Sequence, residues 1–291
     1  MGSLKEIRNR IASVKSTQKI TGAMKLVSAS KLRRAQTAII NLRPYSNKLN
    51  EILQNLTGSA DITNEIPLFK VRRPEKVMII AITSNRGLCG AFNSNVIKEV
   101  TRLINKKYAA QQQAGNVQLI CIGKKANEQL RNHFSIEMLN ETVLDNPNFS
   151  YISQLADTLI NRFCEQKIDK IEIVYNRFIN PATQKVVIEN YLPVEKLTAT
   201  HKAKQIDYIF EPSKQTLLEE MIPKILKLQL YKTLLDSIAS EHGARMTAMA
   251  KATDNATEIL KNLKLKYNNA RQSAITNELN EIVGGANALN N

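Results

Sequence analysis

The residue types able to do chemistry are few in this chain, and their spacing is poor for doing it. The three histidines, His133, His201 and His242, are widely scattered, and no His-x-x-x-His pair or Cys/His cluster offers metal-ligand spacing. The three cysteines, Cys89, Cys121 and Cys164, contain no Cys-x-x-Cys pair and sit in apolar settings, so they are expected to be reduced core thiols. Cys89 has no histidine near it in sequence, which argues against a nucleophilic role. The most suggestive stretch is Ser84-Asn85-Arg86-Gly87-Leu88-Cys89-Gly90-Ala91-Phe92-Asn93, between an apolar strand-like run and a helix-like run, where phosphate-binding loops occur. Its Gly-x-x-Gly spacing matches neither the dinucleotide fingerprint nor the P-loop, and no Lys-Ser or Lys-Thr follows. It reads as a structural turn. No catalytic, cofactor or metal site emerges.

The elements that would position these residues fall into three segments, 1–57, 68–212 and 213–291. In the first, Ser3 and Glu6 suit a capping box, and Leu4, Ile7, Ile11 and Val14 recur at three-four steps, as in a coiled-coil seam. The same step continues through Gln18, Thr21, Lys25 and Ser28 before Leu32 and Ala35, so the seam turns polar and small in its middle. In the last segment Tyr231, Leu235, Ile238, His242, Arg245, Met249, Ala252, Ala256, Ile259 and Leu263 follow the same step after Pro223. Helices of roughly 55 and 65 residues would be on the order of 80–100 Å long, longer than a domain of this size is wide, and an antiparallel pair in which each covers the other's stripe is expected.

Between them the period changes. Residues 76–83, 117–122, 170–178 and 185–191 read as strands, and 95–107, 124–133 and 151–166 as helices, with a hairpin at 179–184. The fold class expected is therefore α/β, a central mostly parallel sheet domain, plus a long antiparallel coiled coil formed by the N- and C-terminal helices.

Charge narrows the partners. The net charge is +15, from 41 Lys and Arg against 26 Asp and Glu, and residues 1–42 carry nine basic residues against Glu6 alone. An acidic partner is implied. A basic helical nucleic-acid-binding protein is one alternative, but residues 1–42 contain no aromatic residue for base stacking. An α/β enzyme holding a nucleotide at Gly87–Gly90 is another, and it predicts ATP binding or turnover by the isolated chain. No apolar run approaches the ~18 residues of a membrane span, and Met1–Glu6 has no apolar signal region, so no secretory signal is expected.

Both ends also carry longer motifs. Residues 11–31, with Thr17-Gln18-Lys19-Ile20-Thr21-Gly22-Ala23-Met24-Lys25, resemble the N-terminal helix of the gamma subunit of F-type ATP synthases. So do Ser240–Met249, Ala252–Ala256 and Tyr267–Gln272, and the run Ile275-Thr276-Asn277-Glu278-Leu279-Asn280-Glu281-Ile282-Val283-Gly284-Gly285-Ala286 is similar to that family's signature at its fixed positions. The loop Arg86–Asn93 agrees with the same family. The resemblance implies a rotor that turns inside a ring of alternating alpha and beta subunits, rests on a c-ring beside the epsilon subunit, and couples ion flow to ATP chemistry without being catalytic or binding a cofactor. By motif, Met24, Arg245, Arg271, Gln272, Thr276 and Glu278 are implied contacts with the alpha/beta ring, and Tyr208 and Glu211 with the c-ring. The implied location is peripheral, at the cytoplasmic face of a bacterial-type plasma membrane. The chloroplast form of the family carries an inserted regulatory cysteine pair, which is not found here.

Overall fold

The computed structural model describes residues 4–57, 66–195 and 213–289. The termini form two long helices, α1 (Leu4–Thr57) and α7 (Lys214–Leu289). By compactness the chain divides into two units, residues 1–28 with 246–291, and residues 29–245.

The larger unit is built on five strands: β1 (Val77–Ile82), β2 (Val117–Ile122), β3 (Ser135–Asn140), β4 (Lys170–Asn180) and β5 (Thr183–Leu192). Their order is β3-β2-β1-β4-β5, with the first four parallel and β5 antiparallel to β4. Every residue of β1 is buried, as its central place between two parallel neighbours requires. On one face Val77, Ile79, Ala81, Val117, Leu119 and Cys121 form a core with Val96, Val100 and Ile104 of α2 (Phe92–Lys107). The alternate residues Met78, Ile80 and Ile82 are equally buried, so the other face is covered too. Two short helices, α3 (Ala109–Gln113) and α4 (Lys124–Leu130), flank β2. Another short one, α5 (Thr142–Asp145), precedes α6 (Phe149–Cys164), whose Ile152, Leu155, Ala156, Leu159, Ile160 and Phe163 are buried.

The strands and helices expected from the period change are present, and the class is the one the patterning implied. Four details differ. The run 135–140 pairs as β3, an edge strand not expected from sequence, whose six residues alternate between exposed and covered but lack the continuous apolar run of β1. Cys164 is exposed while Cys89 and Cys121 are buried, because Cys164 closes α6 on its outer side. The last helix begins at Lys214 and contains Pro223, where sequence alone places its apolar stretch after that proline. The hairpin turn is tighter than expected, since the two strands extend to Asn180 and Thr183; the Asn180 side chain accepts from the backbone N–H groups of Ala182 and Thr183.

In this unit α7 lies against the hairpin. The Ser240 hydroxyl donates to Asn176 O, the Tyr191 hydroxyl to Leu226 O, and Gln229 Nε2 to Glu189. A Cβ at Gly243 would stand 3.2 Å from Pro181 Cα and 3.5 Å from the Phe178 ring, so glycine sets the closeness of this crossing.

In the smaller unit the two helices run antiparallel. Gln18 donates to Thr257 at 2.7 Å and the Thr21 and Thr253 hydroxyls meet at 2.8 Å, so the partner position falls as the α1 position rises. Leu4, Ile7, Ile11, Val14, Gln18, Thr21 and Ser28 are the covered positions of α1 here, together with Gly22 and Met24, while Lys25 is exposed. On α7 the expected Ile259 is 46% exposed and Leu260 is 8% exposed in its place. Ala256 to Leu260 is one extra step of four, which brings the stripe closer to the 3.6-residue turn of a straight helix.

Candidate functional site

Two regions gather the residues singled out by sequence. The first is the loop after β1. Leu88 and Gly90 adopt positive φ, 62° and 59°, which folds the segment back on itself. Asn93 at the start of α2 ties it down, accepting from Ser84 N at 2.9 Å and donating to the Ser84 hydroxyl and to Cys89 Sγ. Cys89 is buried against Phe92 and Ala244, and that burial pushes its thiol pKa up, so it is a poor nucleophile.

What faces this loop is Arg245. It is only 8% exposed and donates to Arg86 O at 3.1 Å and to Gly87 O at 3.3 Å. Its Nη1 also reaches Glu241 Oε1 at 2.7 Å. A phosphate needs backbone N–H groups turned toward it; here the loop turns carbonyls toward a guanidinium, the reverse polarity. This supports the structural reading of Gly87–Gly90. His242 completes the cluster, its Nδ1 3.4 Å from Arg245 Nη1. Since the guanidinium only donates, Nδ1 must accept and the ring is neutral. Burial, with Arg245 and Lys31 nearby, holds its pKa down at about 4. Burial pushes the Glu241 carboxyl up while Arg245 pulls it back.

The second region is in the smaller unit. The middle of its seam is polar but bonded: beyond the two interhelical pairs, Ser28 donates to Met24 O and Thr253 to Met249 O. Beside it α1 exposes Lys19, Ile20, Lys25, Leu26 and Val27, with Met24 half-buried at the edge. Carried on residue for residue, the antiparallel register places Leu4 opposite roughly position 271 of α7. Tyr267, Ala270 and Ala274 are the last partly covered positions, and 275–285 are exposed throughout. That free end carries Ile275, Leu279, Ile282 and Val283 at 48–67% exposure. At about 100° per residue, these four share an arc of about 160° with Arg271, Gln272, Thr276 and Glu278, and the seam residues Leu263, Tyr267, Ala270 and Ala274 lie outside it.

A family model described as ATP synthase matches residues 3–289. The ATP synthase gamma chain of Flavobacterium johnsoniae is 53% identical over 292 residues, and that of Christiangramia forsetii 51% over 290, each covering 100% of both chains. The chain belongs to the ATP synthase gamma-chain family. The nucleic-acid alternative has no support. Among solved structures, a chain of the Euglena gracilis mitochondrial ATP synthase (OSCP, F1 and c-ring) has a TM-score of 0.69 at 23% identity, over 98% of this chain and 94% of that one. A chain from the Tetrahymena thermophila central stalk and c-ring gives 0.60 at 25% identity, over 80% and 99%.

The motif residues of the gamma-chain family are thus placed differently from one another. Arg271, Gln272, Thr276 and Glu278 come together on the exposed end of α7, and Met24 lies on α1 beside its exposed basic and apolar face. Arg245 is turned inward onto the loop. Tyr208 and Glu211 lie outside the described residues. Sequence reasoning missed Glu241 as the partner of Arg245, although their i, i+4 spacing was there to read. Among the described residues no group of His, Cys, Asp and Glu could hold a metal, and no helix is long and apolar enough to cross a membrane.

Proposed function

We propose that this gamma subunit transmits torque through the exposed end of α7 and the Met24 face of α1. In this reading ion flow turns a c-ring, the chain turns with it, and alpha and beta subunits surround its helices while epsilon lies beside the central domain. The observation that carries it is the free end of α7. A helix that leaves Ile275, Leu279, Ile282 and Val283 exposed on one arc needs a surrounding surface, and Arg271, Gln272, Thr276 and Glu278 on that arc supply polar contacts. Exposed charges do little alone, but they become selective once a partner excludes water. Arg245 acts at the ring through the loop it holds, Arg86–Gly87.

Contacts of Tyr208 and Glu211 with the c-ring are part of the same proposal, supported by the likeness to a chain of the Tetrahymena thermophila central stalk and c-ring. The segments 1–57, 68–212 and 213–291 serve as shaft helix, central domain and shaft helix. The chain itself is non-catalytic and uses no cofactor, and it sits peripherally at the cytoplasmic face of a bacterial plasma membrane, in keeping with its bacterial relatives. Affinity capture of the tagged chain followed by mass spectrometry tests the assembly, with alpha, beta, epsilon and c chains expected together. ATP hydrolysis by the purified chain that disappears on altering Gly87 or Gly90 would overturn the non-catalytic role.

A further inference from the structure

In the larger unit a cavity of about 350 Å³ opens between α1, the end of β4 and α7. Asp236 lines it, is only 9% exposed, and among the described residues makes no hydrogen bond or ion pair. Arg43, Arg177 and Lys232 line the same space, and Leu42 and Phe178 supply apolar wall. Arg177 is partly occupied by Glu189 at 3.4 Å, whereas Arg43 and Lys232 have no ion pair among the described residues. All three cations act on the Asp236 carboxylate through space without reaching it. A nearly buried carboxylate without a donor is costly, and three cations that stop short of it leave a gap between opposite charges.

Such a gap is completed by a group that donates a proton on one side and accepts on the other. A fully ionised oxyanion meets the cations but is repelled by Asp236, and a simple cation has the reverse difficulty. A phosphate bearing one P–OH satisfies both, since its hydroxyl donates to the carboxylate while its other oxygens accept from guanidinium and ammonium. We infer that this cavity binds a protonated phosphate group, as inorganic phosphate or a small phosphomonoester, between Asp236 and the cations Arg43, Arg177 and Lys232. The volume lies at the lower end of small-molecule sites, larger than phosphate alone needs, and Leu42 and Phe178 are placed for the organic part of an ester.

The charged groups facing Asp236 are Lys232 on its own helix, Arg177 and Glu189 on the hairpin, and Arg43 on α1; burial outweighs the cations and raises its pKa to about 6. A phosphomonoester loses its second proton near pH 6 as well, so binding tightens as pH falls from 8 toward 6. Sulfate has no proton to give and binds only as Asp236 itself becomes neutral.

The test is calorimetric titration of the full chain at pH 7.5 with inorganic phosphate, AMP and sulfate. Phosphate or AMP is expected to bind at least roughly tenfold more tightly than sulfate, the loss of one charge-assisted bond. Tighter AMP binding identifies an ester as the ligand, and equal or tighter phosphate binding the free ion. Lys232→Gln, an exposed and conservative change, weakens both, and Asp236→Asn admits sulfate and abolishes the preference. Circular dichroism confirms that each variant is folded. Equal affinity for sulfate and phosphate, unchanged in Asp236→Asn, or no binding at about 10 mM, overturns the inference. Because the isolated chain is titrated, neither outcome bears on its role as a rotor.

Discussion

Replacing Arg245 with Ala removes one guanidinium and strands one carboxylate. The Arg86 and Gly87 carbonyls it holds belong to exposed residues and regain water, so their loss costs little. Glu241 is different, being 8% exposed with Arg245 at 2.7 Å as its hydrogen-bonded partner. Breaking a buried pair by deleting one member costs about 3–5 kcal/mol, because the remaining charge has neither water nor partner. Urea unfolding of the purified chain, followed by circular dichroism, should show a loss of this size at pH 8. Adding Glu241→Gln in the same chain should restore about half or more of it, since the neutral amide carries no unpaired charge. Without Arg245 the Glu241 carboxyl, already pushed up by burial, is freed of the cation that pulled it down. The deficit should therefore shrink on acidification as the carboxyl takes up a proton. A loss below about 1 kcal/mol, or one that Glu241→Gln leaves unchanged, would refute the assignment of the cost to an uncompensated buried charge.

Three further outcomes are expected. Deleting residues from Ile275 onward should weaken coupling or assembly and leave the larger unit folded; a melted sheet domain in circular dichroism would contradict this. Met24→Lys adds a charge beside Lys19 and Lys25, and should lower ATP-driven ion pumping at a given hydrolysis rate; unchanged pumping would remove Met24 from the moving surface. His242 has a folded pKa near 4, below its ordinary 6.5, so the unfolded chain binds the extra proton first as pH falls. Its contribution is complete above about pH 6.5 and is lost toward pH 4, by about 2 kcal/mol after allowing for partial exposure. The stability gap between the wild type and His242→Asn should accordingly narrow over that window, and a gap independent of pH would show that the imidazole is not held neutral.

The end helices and the central sheet were legible because their signals are local. Leu4, Ile7, Ile11 and Val14 repeat at the step that a helix needs to keep one stripe covered, and the run 77–82 is apolar because both faces of β1 are buried. The strand 135–140 was not legible. Its six residues do alternate between exposed and covered positions, but only Ile136, Met138 and Leu139 are apolar, and it is a strand because β2 offers a parallel edge to it. The shift from Ile259 to Leu260 was equally invisible, since both residues are apolar and only the partner helix decides which one is covered.

The candidate site divides along the same line. The amino-acid order alone determines that α7 carries Arg271, Gln272, Thr276 and Glu278 on one arc with Ile275 and Leu279, because helical geometry converts spacing directly into direction. It does not determine that the arc is uncovered; that follows from the antiparallel register, which exhausts α1 at its first turn. Nor does it determine the place of Arg245. Sequence shows a basic residue in a seam, but whether it faces a partner or the carbonyls of Arg86 and Gly87 rests on residues some 158 positions apart being brought together. Short-range periodicity is written in the chain, whereas burial, and with it the protonation of Glu241, His242 and Asp236, exists only once distant segments exclude water from one another.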